Sequence, residues 1–132
     1  MTTVDALWRV ALEHSPLGMT VASVDGRLLL VNRAFCAMLG HDEDVLVEMD
    51  FRLITHPDDR RASIDALRSA ASGEVDSYRL EKRYLHADGS VVWADLSVVL
   101  VRDDEGRLDM RILEAETGAE EPPRVATHIR VA

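Results

Sequence analysis

The chain has 132 residues, the length of one ordinary domain and too short for a sensor joined to a complete enzyme. Hydrophobic residues make up 47% and charged residues 30%, enough for a core and a solvated surface, which excludes disorder over most of the length. The formal charge of −9 opposes nucleic acid or an anionic membrane surface as a partner, because the net field repels both.

Residues 1–15 form the first unit. Val4, Leu7, Trp8, Ala11 and Leu12 recur at helical spacing between Thr3 and His14, and Ser15-Pro16 ends the pattern. An amphipathic helix is expected there. The opening Met1-Thr2-Thr3-Val4-Asp5 has neither the basic start nor the apolar run of a secretion signal, and no apolar stretch of about 18 residues follows. A cytoplasmic chain is the expectation, either free-standing or part of something larger.

Residues 16–132 form the second unit. Asp25-Gly26, Asp88-Gly89 and Asp104-Glu105-Gly106 each lie between runs rich in Val and Leu, and each supplies the backbone freedom of a hairpin turn. The first turn joins strands over Leu17–Val24 and Arg27–Val31, and the second joins Val75–His86 to Ser90–Arg102. Between the hairpins, Arg33–Leu39, Asp42–Val47 and Asp58–Ser72 carry helical patterns broken by Gly40, His56-Pro57 and Gly73. Pro57 suits a first helical position and Asp58 and Asp59 suit the helix dipole, so the third helix is the best specified. Its inward stripe is read as Ile64, Leu67, Ala70 and Ala71. Arg107–Ala115 extends a hairpin, Glu114–Pro123 is an acidic loop insertion, and Val125, Thr127, Ile129 and Val131 alternate as a last strand. The order gives an α+β fold, with helices gathered on one face of an antiparallel sheet.

The second hairpin reveals which face is buried. A two-residue turn at Asp88-Gly89 sets Arg79, Glu81 and Arg83 on the face of Val92, Ala94, Leu96 and Val98, burying their charges at several kcal/mol each by the usual desolvation scale. A three-residue loop, Ala87-Asp88-Gly89 with Gly89 left-handed, instead sets Tyr78, Leu80 and Tyr84 opposite Val98, Leu96 and Val92. The burial term exceeds any cross-strand pair, worth roughly 0.2–1 kcal/mol, and selects the second register. The outer face then carries Arg79, Glu81, Arg83, Trp93, Asp95 and Ser97, with Arg83 over the Trp93 indole and reaching Asp95 diagonally.

Asn32-Arg33-Ala34-Phe35, Leu39-Gly40-His41, Thr55-His56-Pro57-Asp58-Asp59-Arg60 and Asp88-Gly89-Ser90 followed by Trp93, in this order, resemble the PAS domain family over residues from about 10 to 107. Leu-Gly-His stands where the family usually has Leu-Gly-Tyr, and the tail after the third turn is longer than the family pattern. The resemblance implies a five-stranded antiparallel sheet whose inner face and small helices enclose a pocket for a cofactor or metabolite, in a sensory and dimerising module. On this footing the pocket residues are Phe35, Leu39, Ile64, Leu67, Tyr78, Leu80, Leu96 and Val98. The dimer interface is Leu7, Trp8, Ala11 and Trp93, and the partners are a second copy and an effector domain or signalling protein. The alternative is a ligand-free interaction module whose core is simply filled.

The remaining chemistry is sparse. Cys36 is the single cysteine, which excludes an internal disulfide, and it reads as packing. The flavin-adduct cysteine of PAS-related light sensors lies in a later motif, and Val47–Ile54 has none. No haem is expected, because Asp58–Ser72 contains no histidine and His56 reads as a turn residue. Which cofactor, if any, the pocket holds stays open. His41, Asp42, Asp44, Asp58 and Asp59 lack the spacing of a calcium loop and read as helix-start acids. No catalytic nucleophile with a recognisable base appears, and Asn32 reads as a helix cap.

Overall fold

The computed structural model describes residues 10–23, 25–72 and 75–105, and the backbone of 108–117. A helical segment, α1 (10–14), is followed by β1 (Gly18–Ser23), β2 (Leu28–Val31), α2 (Arg33–Leu39), α3 (Glu43–Leu46) and a 3-10 turn at Phe51–Ile54. Then come α4 (Pro57–Ser72), β3 (Ser77–Leu85), β4 (Val91–Arg102) and β5 (Leu108–Thr117). Of the amphipathic helix expected over Thr3–His14, only 10–14 falls within the described residues; there Leu12 is buried and Ala11 exposed, while Leu7 and Trp8 lie outside them.

The strands form one antiparallel sheet in the order β2-β1-β5-β4-β3. The hairpin of β3 and β4 has the register that burial selects, with Tyr78 opposite Val98, Leu80 opposite Leu96 and Tyr84 opposite Val92. Gly89 takes the left-handed conformation at φ 90°, which L side chains adopt only at a cost, and the His86 N–H donates to the Ser90 carbonyl across the loop at 2.8 Å. The segment read as extending a hairpin does pair antiparallel with β4, and it is also the central strand, with Leu113 of β5 paired to Thr20 of β1 on one side and Val98 of β4 on the other. Residues 114–117, read as the start of an acidic loop, belong to this strand. The strand expected over Val125–Val131 lies outside the described residues.

One face of the sheet closes on the helices. Leu28, Val31, Phe35, Leu39, Leu46, Tyr78, Leu80, Tyr84, Leu96 and Val98 form a continuous buried cluster. Phe35 of α2 and Tyr84 of β3 meet edge to face, with ring centroids 5.7 Å apart, the arrangement that aligns a ring's positive edge with its neighbour's negative face. On α4 the structure corrects the inward stripe. Ser63, Ala66 and Ala70 are buried, whereas Ile64, Leu67 and Ala71 are half-buried on the flank. The small side chains let the helix axis approach β3, which pushes the larger aliphatic ones to the side.

The stretch between α3 and α4 acts as a strap from one sheet edge to the other. Beside β2, the Glu48 N–H donates to the Leu28 carbonyl at 2.8 Å and the Phe51 N–H to the Gly26 carbonyl at 2.9 Å. Beside β3, Thr55 bridges to Tyr84 and the His56 N–H donates to the Arg83 carbonyl at 2.9 Å. Since β2 and β3 are the two edges, the strap crosses the whole inner face and satisfies edge groups that would otherwise invite pairing.

Candidate functional site

Asn32 anchors the inner layer. Its Oδ1 accepts from the Phe35 N–H at 2.9 Å and the Met19 N–H at 2.8 Å, while Nδ2 donates to the carbonyls of Leu12 at 2.7 Å and Leu17 at 2.9 Å. It caps α2 as expected, and it also ties α1, β1 and α2 together. With its side-chain amide bonds engaged at zero exposure, Asn32 is a structural joint.

The strap, the β1–β2 turn and α4 border a cleft of about 280 Å³, near the lower end of small-molecule sites. Phe51 and Arg52 come from the strap, Asp25 and Gly26 from the turn, and Ile64, Leu67, Arg68 and Ala71 from α4. Gly26 is needed here for its lack of a side chain: its φ is 96°, and a Cβ there would lie 3.0 Å from Phe51 Cδ1. Of the residues expected to line a pocket, Ile64 and Leu67 border this cleft. Phe35, Leu39, Tyr78, Leu80, Leu96 and Val98 pack in the core cluster beneath it.

Lys82, the chain's only lysine, is not among the expected site residues. It follows Leu80 on the inner face, opposite Ala94, and is 2% exposed. Its Nζ donates to Thr55 Oγ1 at 3.0 Å and Ser63 Oγ at 3.2 Å, and lies 4.8 Å from the Tyr84 ring centroid and 5.1 Å from that of Phe51. Two hydroxyls and two ring faces thus hold an ammonium inside the core, where a bare charge would cost several kcal/mol. The alternation that places Tyr78, Leu80 and Tyr84 inward contains the signal, because the same period puts Lys82 among them. Phe51 serves both places: one side borders the cleft and the other faces the buried ammonium.

The outer face holds a second cationic arrangement. The Arg83 guanidinium lies over Trp93, 5.3 Å from its ring centroid, as expected. Its carboxylate partner is Asp59 of α4, reached at 2.6 Å from Nη2 and 2.9 Å from Nε, while the Arg83 N–H donates to the same carboxylate at 2.8 Å. Asp95 pairs with Arg79 instead, at 2.7 Å. The correction has a geometric cause: α4 begins beside the edge of β3, so Asp59 offers a bidentate partner with a third bond from the backbone. Partial burial pushes the Asp59 carboxyl upward, but the Arg83 hydrogen bonds outweigh it and leave the pKa below the ordinary aspartate value.

Burial, with the carboxylates of Glu43, Glu13 and Asp42, pushes the Cys36 thiol above its ordinary pKa, the reverse of what a reactive thiolate needs. His56 makes a turn, its Nδ1 accepting from the Asp58 N–H at 3.1 Å. Among the described residues no group of three or more His, Cys, Asp or Glu is placed to hold a metal ion, and no helix is long and apolar enough to cross a membrane.

A family model described as the PAS fold matches residues 28–112. The chain is 37% identical over 99 residues to a probable diguanylate cyclase, DgcE, of Escherichia coli strain K12, and 28% identical over 116 residues to the sensor histidine kinase TmoS of Ectopseudomonas mendocina. These alignments cover 75% and 86% of this chain but only 9% and 12% of the two relatives. Among solved structures, the PAS domain of a Colwellia psychrerythraea protein superposes with a TM-score of 0.81 at 14% identity, covering 90% of this chain and all of the other. With more than half of its length matched by the family model and the same fold in its structural relatives, the chain belongs to the PAS-fold family.

Proposed function

We propose that this chain is a signal-sensing module that takes a small ligand into the cleft between α4, the strap and the β1–β2 turn, and pairs with a second copy to regulate an effector. The observation that carries the reading is the cleft itself, whose wall of Phe51, Ile64, Leu67 and Ala71 is apolar and rests on the packed inner layer. Relatives in which matching segments form about a tenth of a cyclase and a histidine kinase support a regulatory setting. A ligand shifts such a module between two arrangements only by binding one of them more tightly.

Dimerisation is assigned to the N-terminal helix, through Leu7, Trp8 and Ala11, and to the outer face around Trp93. Val91 and Val99, 43% and 45% exposed on that face, add apolar area on either side of the half-buried Trp93. The competing reading, a ligand-free dimerisation module, is favoured by the near-complete burial of Phe35, Leu39, Leu80, Leu96 and Val98, which describes a filled core. Native mass spectrometry with an absorbance spectrum separates the two. The sensing reading expects a bound small molecule, released by Leu67→Trp in a chain that remains dimeric. A dimer that carries no added mass and whose cleft resonances respond to no small molecule would leave the filled-core reading standing.

A further inference from the structure

The charges around the cleft are unevenly committed. Asp25 accepts from the Ser23 hydroxyl and lies 3.7 Å from Arg27. The Ser23 hydrogen bond foremost, aided by Arg27, outweighs the opposing desolvation and holds its carboxyl below the usual range. Asp50 is gripped by the guanidinium and backbone N–H of Arg52. Asp25, the carboxylate that borders the cleft, and its neighbour Asp50 therefore have cationic partners, and Arg27 also lies 3.6 Å from Glu48. Arg68 is different: it is exposed on α4, borders the cleft, and its side chain makes no hydrogen bond or ion pair with the described residues. In a chain of net charge −9, Arg68 is thus a cation at the cleft with no carboxylate partner among the described residues.

Resting on the sensing reading above, we propose that the ligand is a small amphipathic monoanion, an aliphatic or aromatic body bearing one carboxylate. The body lies on Phe51, Ile64, Leu67 and Ala71, and the carboxylate meets Arg68 at the mouth. A planar guanidinium fork matches a carboxylate with two parallel hydrogen bonds, and the low-dielectric wall beside it strengthens that attraction. Dianions such as phosphate monoesters are disfavoured, because Asp25 stands on the same rim and the net field repels added negative charge. The volume of about 280 Å³ sets the scale of the body at a medium-chain acyl group or a single ring.

The test titrates octanoate, 1-octanol and octylammonium into the isotopically labelled full chain, reading amide shifts at Phe51, Leu67 and Arg68. Octanoate is expected to bind about tenfold more tightly than octanol, the worth of one charge-assisted pair, with octylammonium weakest. Arg68→Gln should lower octanoate to the level of octanol and leave octanol unchanged. Arg68→Glu should reverse the order in favour of octylammonium. Equal binding of octanoate and octanol, or a preference that survives Arg68→Gln, would overturn the anion assignment and leave the sensing cleft intact. If none of the three probes moves the cleft amides while the spectrum is that of a folded chain, the cleft reading falls and this inference with it.

Discussion

Lys82 and Arg83 are neighbours on β3, yet alternation sends them to opposite faces and into opposite kinds of partnership. Lys82 is buried at 2% exposure among hydroxyls and ring faces, whereas the Arg83 side chain keeps 25% exposure and takes the Asp59 carboxylate and the Trp93 face. On the inner layer two hydroxyls and two ring faces meet the cation; on the outer layer a carboxylate that water partly screens does so. One cation is an internal feature of the packing, and the other fastens α4 to the edge of the sheet.

The contrast between the faces can be broken most strongly at Leu96, which is fully buried. Leu96→Ala should cost about 2–5 kcal/mol in urea unfolding; a loss below about 1 kcal/mol would mean that the inner face is not the close-packed one. At Lys82 a smaller loss is expected. Lys82→Met keeps the volume but leaves the Thr55 and Ser63 hydroxyls without the donor they share, so stability should fall by about 1–3 kcal/mol. An unchanged or higher stability would show that the ammonium is no bridge between the strap and α4.

Asp59→Asn should cost about 1 kcal/mol, a charge-assisted bond discounted for its partial exposure. The change also carries a pH signature. Because the folded pKa of Asp59 lies below its unfolded value, the pair's contribution is fully present above an unfolded pKa of about 3.9 and disappears as pH falls through the folded one. Asp59→Asn should therefore flatten this part of the acid unfolding curve, and an unaltered curve would remove Asp59 from it. The smallest effect is expected at Val99, 45% exposed on the outer face. Val99→Ser should change monomer stability by less than about 0.5 kcal/mol while weakening self-association in sedimentation, as the proposed dimer requires.

Local chemistry made some of this molecule legible before any coordinates. The register of β3 and β4 follows from the cost of burying Arg79, Glu81 and Arg83, a term large enough to outweigh the alternatives. Asn32 announces itself as a cap because a strand ends and a helix begins around it, although its bonds to Met19, Leu12 and Leu17 join segments that only the fold brings near. The stripe on α4 was less legible. Helical spacing permits both Ile64, Leu67, Ala71 and Ser63, Ala66, Ala70, and the choice depends on how closely β3 lets the axis approach. Lys82 was hidden by its type, since a lysine is seldom buried.

Length, alternation and turn residues by themselves determined an α+β chain with one greasy sheet face and one ionic one, because period and desolvation act within a few residues of each position. Tertiary structure alone decided that Leu108–Thr117 enters the middle of the sheet, that Asp59 rather than Asp95 takes Arg83, and that Thr55 and Ser63 meet over Lys82. Those outcomes join residues far apart along the chain. Their energies exist only once the strap and α4 have closed over the sheet, so no local pattern encodes them.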